Sequence, residues 1–437
     1  MKKFERQTLS NFKIKLRMGR DIMKFLFILG TYLPKASANG ICVINIINEL
    51  KKQGHLVHCL CWDNVEKKQD IVDGVEITRV FVSSKYNADN IRPKSRIAYK
   101  IISLIDKTLS YIMFPFYPNH RVGLSKRMER QALKLMQKNQ YDCIISVFQP
   151  FDALFAGYSI AKKYPSTKWI LYYLDIFSGG LKPRLLSQEK FFKKTYKWEC
   201  KFFERCDLAV IMESYRFHYK TKMFEKYEDR IKYADFPLIE SSQIPYEMFQ
   251  TKHDDLRFLL SGKIDFAMRN PTYVLALMEK ILKIVPSHFD FCGTQDWQAL
   301  LDTFQASVGN SFTYHGRVDY QTAKKMENEA DVLISIGNSF SGAVPSKIFS
   351  YMSKGKIILH TYSNQDDPAL AYLRLYPKAI LINEEDSSGG LDAFKIVDII
   401  EKYYDRMIDI HTLTTLFPKN TVRYTLDFIL SCVERNI

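Results

Sequence analysis

The segment from Asp331 to His360 constrains the fold of this 437-residue chain most strongly, because it has the pattern of a strand, a loop, a helix, a tight turn and a second strand. Val332 to Ile336 is apolar and rich in β-branched residues, which is typical of a strand buried on both faces of a parallel sheet, and Ile357 to Leu359 repeats this pattern. Pro345 can occupy the first helical turn, where its missing N–H costs nothing, and Gly355 can adopt the left-handed conformation that ends a helix. The segment therefore predicts a β-α-β unit.

The loop from Gly337 to Val344 leads into the N-terminus of this predicted helix. Unpaired backbone N–H groups and the helix dipole favour an anion at such a position. Ser346 and Lys347 add a hydroxyl donor and a full positive charge. These features predict a binding site for the diphosphate of a nucleotide. The alternative is that Pro345 and Gly355 only mark the two ends of an ordinary helix.

Four stretches carry a resemblance to a known family. The sequence PSKIFSYMSKGKII, residues 345–358, resembles the donor-sugar half of GT-B glycosyltransferases of the retaining, family 4 type, in which a strand, a Gly-rich loop and a helix precede GKPI. RFLLSGKIDFAMRNP, residues 257–271, is similar to the strand and loop that open the C-terminal domain of that family. Residues 312–332 resemble the stretch that precedes the donor loop. DFCGTQ, residues 290–295, resembles a further strand followed by a glycine turn.

The resemblance implies where a nucleotide-sugar donor binds. Lys263 and Arg269 are expected to bind the donor pyrophosphate, because two fixed charges suit a leaving group that gains negative charge. Gly262 is expected at the turn and Gly316 near the base or the ribose. The expected donor-binding residues are Gly262, Lys263, Arg269, Gly316, Ser341, Gly342, Val344, Pro345, Ser346, Lys347 and Ser350.

The first half of the chain predicts a second sheet. The strand from Lys24 to Leu29 enters a loop with Asn39 and Gly40, and an amphipathic helix then ends near Gly54. Further apolar runs begin near Tyr141, Trp169 and Cys206, separated by helix-length segments, as expected for parallel strands. Ligands bind at the carboxyl ends of such strands. The loop residues Asn39, Gly40 and Gln149 are therefore expected on the acceptor side.

Asp175, which follows the run LYYL, is the candidate catalytic residue near the acceptor hydroxyl. The resemblance supports this role, because the matching family segment often carries His or Asp. The alternative is that Asp175 only caps a following turn. A transferase of this kind would hold the two substrates in an interdomain cleft that closes to exclude water.

The length of the chain predicts two domains, because it exceeds what one core supports. Residues 1–22 form a basic extension, residues 23–240 an N-terminal acceptor-side domain, and residues 246–410 a C-terminal nucleotide-sugar-binding domain. By resemblance, residues 411–437 return to the first domain as a helix. The predicted fold class is thus α/β, with two Rossmann-like parallel-sheet domains in the GT-B arrangement.

The formal net charge of +15 raises the question of an anionic partner. No zinc-finger, helix-turn-helix or RNA-recognition signature accompanies this charge, so nucleic acid is not expected. Residues 182–205 instead interleave lysines with aromatic residues at helical spacing, which is typical of a helix on an anionic membrane. The alternative is a helix that packs its aromatic residues on the sheet. Both can hold together.

The sequence contains no apolar run of the ~18 to 20 residues that span a bilayer, and residues 1–22 do not have the pattern of a signal peptide. The eight cysteines are scattered and are expected to be free, buried thiols. Neither they nor the histidines have metal-binding spacing. We therefore expect a cytoplasmic protein that binds peripherally to the inner face of the membrane. We expect no metal and no cofactor. The expected donor substrate is a nucleotide-diphosphate sugar of UDP or GDP type.

One departure from the family affects the functional interpretation. Many relatives carry two glutamates around the donor loop, and the matching positions here are Gly342 and Ser350. The leading hypothesis is a retaining, metal-independent glycosyltransferase that acts on a glycan or lipid-linked acceptor in cell-surface polysaccharide synthesis. The alternatives are a non-catalytic GT-B subunit that supports a partner enzyme, which would expose an apolar patch, and a nucleotide-sugar epimerase. Homo- or hetero-oligomers are compatible with each of these.

Overall fold

A computed structural model of the chain contains two compact units. The first unit comprises residues up to Pro237 together with residues from Val422 onward, and the second comprises Leu238–Thr421. The structure describes residues 22–33, 36–62, 69–81, 95–119, 122–180, 182–183, 186–239, 255–339, 344–386, 393–404, 406 and 408–434.

The first unit is built on an eight-stranded sheet. Its strands are β1 (Lys24–Ile28), β2 (Leu56–Trp62), β3 (Gln69–Val72), β4 (Val75–Val80), β5 (Cys143–Phe148), β6 (Lys168–Tyr173), β7 (Leu208–Met212) and β8 (Ile231–Ala234). They are arranged in the order β3-β4-β2-β1-β5-β6-β7-β8. All neighbouring strands are parallel except β3 and β4, which form a hairpin. The turn of this hairpin contains Asp73 and Gly74, both with positive φ, as a type I′ turn requires.

Helices connect these strands, as parallel pairing requires. Helix α1 (Ala38–Lys52) begins at the N-cap Ser37, whose hydroxyl accepts a hydrogen bond from the Gly40 N–H at 3.2 Å. The other helices of this unit are α2 (Arg96–Met113), α3 (Val122–Lys138), α4 (Phe151–Lys163), α5 (Gln188–Arg205), α6 (Arg216–Tyr219) and the C-terminal helix α14 (Val422–Glu434).

The second unit is built on six parallel strands. These are β9 (Leu256–Ile264), β10 (Ser287–Gln295), β11 (Phe312–Gly316), β12 (Val332–Ile336), β13 (Ile357–Tyr362) and β14 (Ala379–Asn383). They are arranged in the order β11-β10-β9-β12-β13-β14. The core of the unit consists of the apolar side chains of these strands and of the helices packed on them. The helices are α7 (Thr272–Ile284), α8 (Gln298–Val308), α9 (Tyr320–Glu329), α10 (Lys347–Met352), α11 (Leu370–Leu373), α12 (Ala393–Tyr404) and α13 (Ile410–Leu416).

The predicted fold class, α/β with two parallel sheets, is confirmed. Strand β12 has the predicted bounds, and Gly355 has the predicted positive φ of 63°. Three local predictions are wrong. Helix α10 begins at Lys347 after the N-cap Ser346, so Pro345 precedes the helix. Neither Gly262 nor Gly293 lies at a turn, because β9 continues through Gly262 to Ile264 and β10 continues through Gly293 to Gln295.

The C-terminal region returns to the first unit later along the chain than residue 411. Helix α13 belongs to the second unit, and the chain joins the first unit at Val422. Helix α14 then packs on α1 and on strands β6 to β8, and it buries the apolar side chains of Leu426, Ile429 and Leu430. Within the described ranges, no helix combines the length and the apolar character that crossing a bilayer requires.

Helix α5 shows how the aromatic and basic stretch is arranged. Its residues Phe191, Phe202 and Phe203 are buried in the first unit, and Phe203 contacts the rings of Tyr173 and Tyr219. These aromatic residues therefore pack within the unit, as the alternative interpretation predicts. The exposed side chains of the helix include Lys190, Lys193 and Lys197.

Candidate functional site

The carboxyl ends of β9 and β12 lie side by side in the second sheet, and the loops that follow them are joined. The Ser339 N–H donates to the Met268 carbonyl at 2.8 Å, and its hydroxyl donates to the Ala267 carbonyl at 2.9 Å. This edge is where open α/β sheets bind ligands. Most of the residues assigned from the sequence to donor binding lie on these two loops or on the helix that follows.

Arg269 is held at this edge by hydrogen bonds to the loop after β12 and to the end of strand β9. Its Nε donates to Asn338 Oδ1 at 2.9 Å, and its Nη1 donates to the Lys263 carbonyl at 3.4 Å. Burial lowers the pKa of Arg269, while the charges of Tyr351, Asp367 and Asp265 act in the opposite direction. The guanidinium is therefore a positioned cation in a partly desolvated environment.

Lys263 differs from Arg269 because it extends into solvent. Its side chain is 71% exposed, and its Nζ forms an ion pair with Asp265 Oδ2 at 2.7 Å. Exposed pairs of this kind contribute little to stability, so the ammonium can exchange its partner for another anion at small cost.

Lys347, at the first position of α10, contacts groups from two other elements. Its Nζ donates to Glu327 Oε1 at 2.6 Å and to Ser261 Oγ at 2.5 Å. Lys354 approaches the second oxygen of the same carboxylate, with 3.6 Å between Nζ and Oε2. The Ser350 hydroxyl lies 3.5 Å from that oxygen. The Glu327 carboxylate thus joins α9 to the start of α10 and to the turn that follows it.

The charges in this cluster explain why a carboxylate is tolerated in the core. Burial raises the pKa of Glu327, but Lys347 and Lys354 outweigh burial, so the net pKa is below its usual range. Burial also lowers the pKa of Lys347, and the charge of Glu327 reverses that effect and raises it. Two ammonium groups and one carboxylate leave one surplus positive charge. Glu327 was not predicted from the sequence, because its helix contains several charged residues and nothing local distinguishes it.

Glycines bring the backbone close together beside this cluster. Gly262 in β9 pairs with Gly293 in β10, and Gly262 has a φ of 122°. A Cβ on Gly293 would overlap the Gly262 carbonyl oxygen. A Cβ on Gly262 would lie 3.8 Å from Cε of Lys347. Gly316 ends β11 with a φ of 63°, and a Cβ added there would have no neighbouring atom within 4 Å.

The other predicted donor residues lie around α10. Val344 and Pro345 are buried, and Ser346 is a half-buried N-cap without a side-chain capping bond. Ser341 and Gly342 lie outside the described residues.

The carboxyl edge of the first sheet brings together residues that are predicted to lie on the acceptor side. Asn39, at the start of α1, donates through Nδ2 to Asp175 Oδ2 at 2.9 Å and to the Phe148 carbonyl at 3.5 Å. Burial raises the pKa of Asp175, and hydrogen bonds from Asn39 and the Gln149 backbone partly offset this. Gly40 allows the close approach of α1, because a Cβ there would lie 2.5 Å from the Thr31 carbonyl oxygen.

A second polar cluster lies near the same edge and was missed from the sequence. The Ser178 hydroxyl hydrogen-bonds the Glu199 carboxyl group and lies 2.9 Å from His218 Nε2. The Tyr219 hydroxyl donates to Glu199 Oε1 at 2.6 Å. Burial raises the pKa of Glu199 to about 8 and lowers the pKa of His218 to about 4. Both groups are therefore mainly neutral near pH 7. The only signal in the sequence was Ser178 three residues after Asp175.

The eight cysteines are free thiols, and six of them are buried. One of these, Cys292, hydrogen-bonds Ser261 beside the Lys347–Glu327 pair. Among the described residues, no group of histidine, cysteine, aspartate and glutamate side chains has a geometry that could hold a metal ion.

No protein-family model and no curated protein sequence matches the chain. Solved structures do match its fold over almost its entire length. One is the catalytic domain of starch synthase IV from Arabidopsis thaliana bound to ADP and acarbose, with a TM-score of 0.57, 10% identity, and coverage of 95% of this chain and 99% of that chain. Another is a glycosyltransferase from Rickettsia africae, with a TM-score of 0.57, 12% identity, and coverage of 95% of this chain and 99% of that chain.

A third structure is a UDP-forming α,α-trehalose-phosphate synthase from Burkholderia xenovorans in complex with glucose-6-phosphate. Its TM-score is 0.54 and its identity 10%, with coverage of 94% of this chain and 99% of that chain. At these identities the similarity shows the fold, which is the GT-B fold of two parallel-sheet domains.

Proposed function

We propose that this chain is a glycosyltransferase that moves a sugar from a nucleotide-diphosphate donor to a glycan or lipid-linked acceptor. The observation that carries the proposal is the cationic edge of the second sheet, where Arg269, Lys263 and the Lys347–Glu327–Lys354 cluster surround glycine-lined backbone. A diphosphate needs several fixed cations and close approach to the backbone, and this edge offers both. The structural neighbours include one that is bound to ADP and one that is UDP-forming.

The proposed reaction breaks the bond between the anomeric carbon and the donor phosphate and forms a bond from that carbon to the acceptor oxygen. The electron pair of the broken bond leaves with the nucleoside diphosphate. Arg269 would stabilise the negative charge that develops there, because a positioned charge needs no reorganisation during the reaction. Lys263 would add a second charge once its ammonium has exchanged Asp265 for the phosphate. The surplus charge of the Lys347 cluster would act in the same way. In this proposal the reaction is retaining and does not require a metal.

On the acceptor side, we assign the polar contact with the acceptor hydroxyl to Asp175. Its raised pKa favours uptake of a proton, and Asn39 fixes the orientation of the carboxyl group. Gly342 and Ser350 provide no carboxylate for the donor ribose, so the donor contacts in this chain would differ from those of relatives that carry two glutamates. The nucleotide is proposed to be of UDP or GDP type, and the product to belong to cell-surface polysaccharide synthesis.

Thermal unfolding with UDP, GDP, ADP and CMP tests the donor site, because a ligand that binds only the native state raises the midpoint. Lys263→Ala is the informative variant, since this exposed side chain contributes little to the fold. Lys283→Ala is its matched control: Lys283 is 63% exposed and forms an ion pair of the same 2.7 Å with Glu279. We expect one diphosphate to raise the midpoint of the native protein and of Lys283→Ala, and to raise that of Lys263→Ala much less.

If none of the nucleotides shifts the midpoint, the proposal of an active donor site is wrong. A non-catalytic GT-B subunit that supports a partner enzyme is then the better interpretation. One observation favours that second function, namely an apolar helix face that is exposed on the first unit. In that case, a sugar-transfer assay with radiolabelled donors would show no product with the purified chain.

Association with an anionic membrane surface belongs to the same proposal, and the protein would act from the cytoplasmic side. The supporting observation is the set of exposed lysines on α5, Lys190, Lys193 and Lys197. Each lysine near an anionic surface contributes about 1 kcal/mol to binding.

A further inference from the structure

Helix α2 has an apolar face that the described residues do not cover. Its apolar side chains recur at the spacing of one helical face and are 51–73% exposed, and none of the α2 side chains that the structure describes is buried. These exposed residues are Ile97, Ile101, Leu104, Ile105, Leu109, Tyr111 and Ile112.

Another amphipathic helix of the chain shows that this exposure is unusual. Helix α7 buries its apolar stripe, including Val274, Met278 and Ile281, against the second sheet. Soluble surfaces tolerate single exposed apolar residues, but a continuous stripe of them marks a binding surface. The stripe on α2 therefore requires an explanation other than packing against the described part of its unit.

The end of α2 is connected to the lysine-rich helix α5. The chain continues from α2 into a short 3₁₀ helix, Phe114–Phe116. There Lys194 Nζ donates to the Pro115 carbonyl at 2.7 Å. The next residue, Tyr117, contacts the ring of Phe191 on α5, with 5.8 Å between the ring centroids. The apolar face of α2 thus ends beside the helix that carries the exposed lysines.

Charge decides which partner fits this combination. A second copy of the chain would bring a formal net charge of +15 against another +15, which opposes association. An anionic lipid surface complements both features, because the apolar face can enter the boundary between headgroups and acyl chains while lysines contact the headgroups. Helix α2 also carries the exposed Lys100, one position before Ile101, and such a mixture of exposed cations and apolar residues is typical of a helix that lies in the membrane plane.

We propose that α2 lies in the headgroup region of an anionic bilayer and anchors the first unit there, with the lysines of α5 on the adjacent headgroups. This inference rests on the proposed membrane association of the glycosyltransferase and adds the element that enters the lipid. Helix α2 is about 27 Å long, and Tyr111 and Phe116 are 63% and 60% exposed at its C-terminal end. Aromatic rings of this kind are favoured at the membrane interface.

Vesicle co-sedimentation tests the inference with the full chain, using vesicles of phosphatidylglycerol and phosphatidylcholine at equal amounts and vesicles of phosphatidylcholine alone. The test variant combines Ile101→Ser, Leu104→Ser and Ile105→Ser. The control combines Ile71→Ser, Phe217→Ser and Leu375→Ser, which replace scattered apolar residues that are 55–74% exposed elsewhere on the chain. We expect the native protein and the control to bind the anionic vesicles, and the α2 variant to bind at least tenfold more weakly.

A second variant, with Lys190→Ala, Lys193→Ala and Lys197→Ala, separates charge from apolar insertion. We expect it to bind anionic vesicles more weakly than the native protein does, and with less dependence on the salt concentration. If the native protein fails to bind anionic vesicles, or the α2 variant binds as well as the control, the inference is wrong. It is also wrong if light scattering shows a dimer of the native protein that the α2 variant converts to a monomer.

The nucleotide-dependent thermal shift distinguishes this inference from the proposed function. Because the substituted α2 residues are exposed, the variant is expected to unfold at the native midpoint and to keep its response to the nucleotide. Loss of vesicle binding with an unchanged nucleotide response supports α2 as the anchor. Native vesicle binding without any nucleotide response would leave the anchor in place and refute the donor site.

Discussion

Glu199→Gln tests whether the buried carboxyl group beside Ser178 is protonated in the folded protein. Glu199 is fully buried on α5, and burial raises its pKa from 4.5 to about 8. Between these values the folded state holds a proton that the unfolded state releases. Raising the pH therefore favours the unfolded state. The contribution of Glu199 to stability is fully present below pH 4.5 and is lost as the pH rises through about 8.

The magnitude follows from the width of this window. Each pH unit inside it changes the free energy of unfolding by up to about 1.4 kcal/mol per proton. Between about pH 5 and pH 8, Glu199 should therefore lower the stability of the native protein by up to about 4 kcal/mol. Glutamine has no proton to lose, and its amide can still accept from Tyr219 and donate to Ser178. The Glu199→Gln variant should lack this part of the pH dependence.

Urea unfolding at half-unit steps from about pH 5 to pH 8 measures the effect for the native protein and the variant. Glu204→Gln is the control, because Glu204 lies on the same helix with a side chain that is 58% exposed. We expect the free-energy difference between the native and Glu199→Gln proteins to change steadily with pH, in favour of the variant at high pH. Parallel curves for the two proteins would show that Glu199 is ionised in the fold and would refute the reasoning.

Two further substitutions test the cluster around Glu327 and the glycine pair beside it. Glu327→Gln removes the buried carboxylate that pairs with Lys347 and Lys354, and we expect a loss of about 3–5 kcal/mol in the free energy of unfolding. Glu329→Gln, at a side chain of the same helix that is 49% exposed, should cost less than about 1 kcal/mol; equal losses in urea unfolding would contradict this account. Gly293→Ala forces a methyl group against the Gly262 backbone, and we expect a loss of at least about 1–3 kcal/mol and a weaker nucleotide response. If Gly293→Ala changed neither the free energy of unfolding nor the nucleotide response, β9 and β10 would be able to move apart at this point without cost.

The predictability of the fold from the sequence follows from local periodicity. The run from Val332 to Ile336 is apolar apart from Ser335, and the structure buries all of it as β12. Gly355 has the left-handed backbone that its position after a helix predicts. The expectations for Pro345, Gly262 and Gly293 were wrong because none of these positions is decided locally. A helix end depends on which residue caps it, and a glycine in a strand looks like a glycine in a turn until its neighbour is known.

The contacts at the carboxyl edge of the first sheet were predictable in part. Asn39 and Asp175 were each assigned to it from the pattern of strand ends and the family resemblance, and the structure joins them by a hydrogen bond across 136 residues of sequence. The partnership itself depends on the sheet order, which places the end of β6 near the start of α1. The Ser178, Glu199 and His218 cluster depends in the same way on helix α5 packing within the unit.

The sequence by itself determined the alternation of strands and helices, the two-sheet α/β class and the loops at which a ligand site would lie, because these depend on residues near each other along the chain. Only the tertiary structure decided which charges are paired and which apolar faces are covered. Glu327 acquires its importance from lysines that lie outside its own helix. Helices α2 and α5 are both amphipathic in sequence, yet the apolar face of α2 is exposed and that of α5 is covered. The reason is that burial depends on what the rest of the fold places against each face.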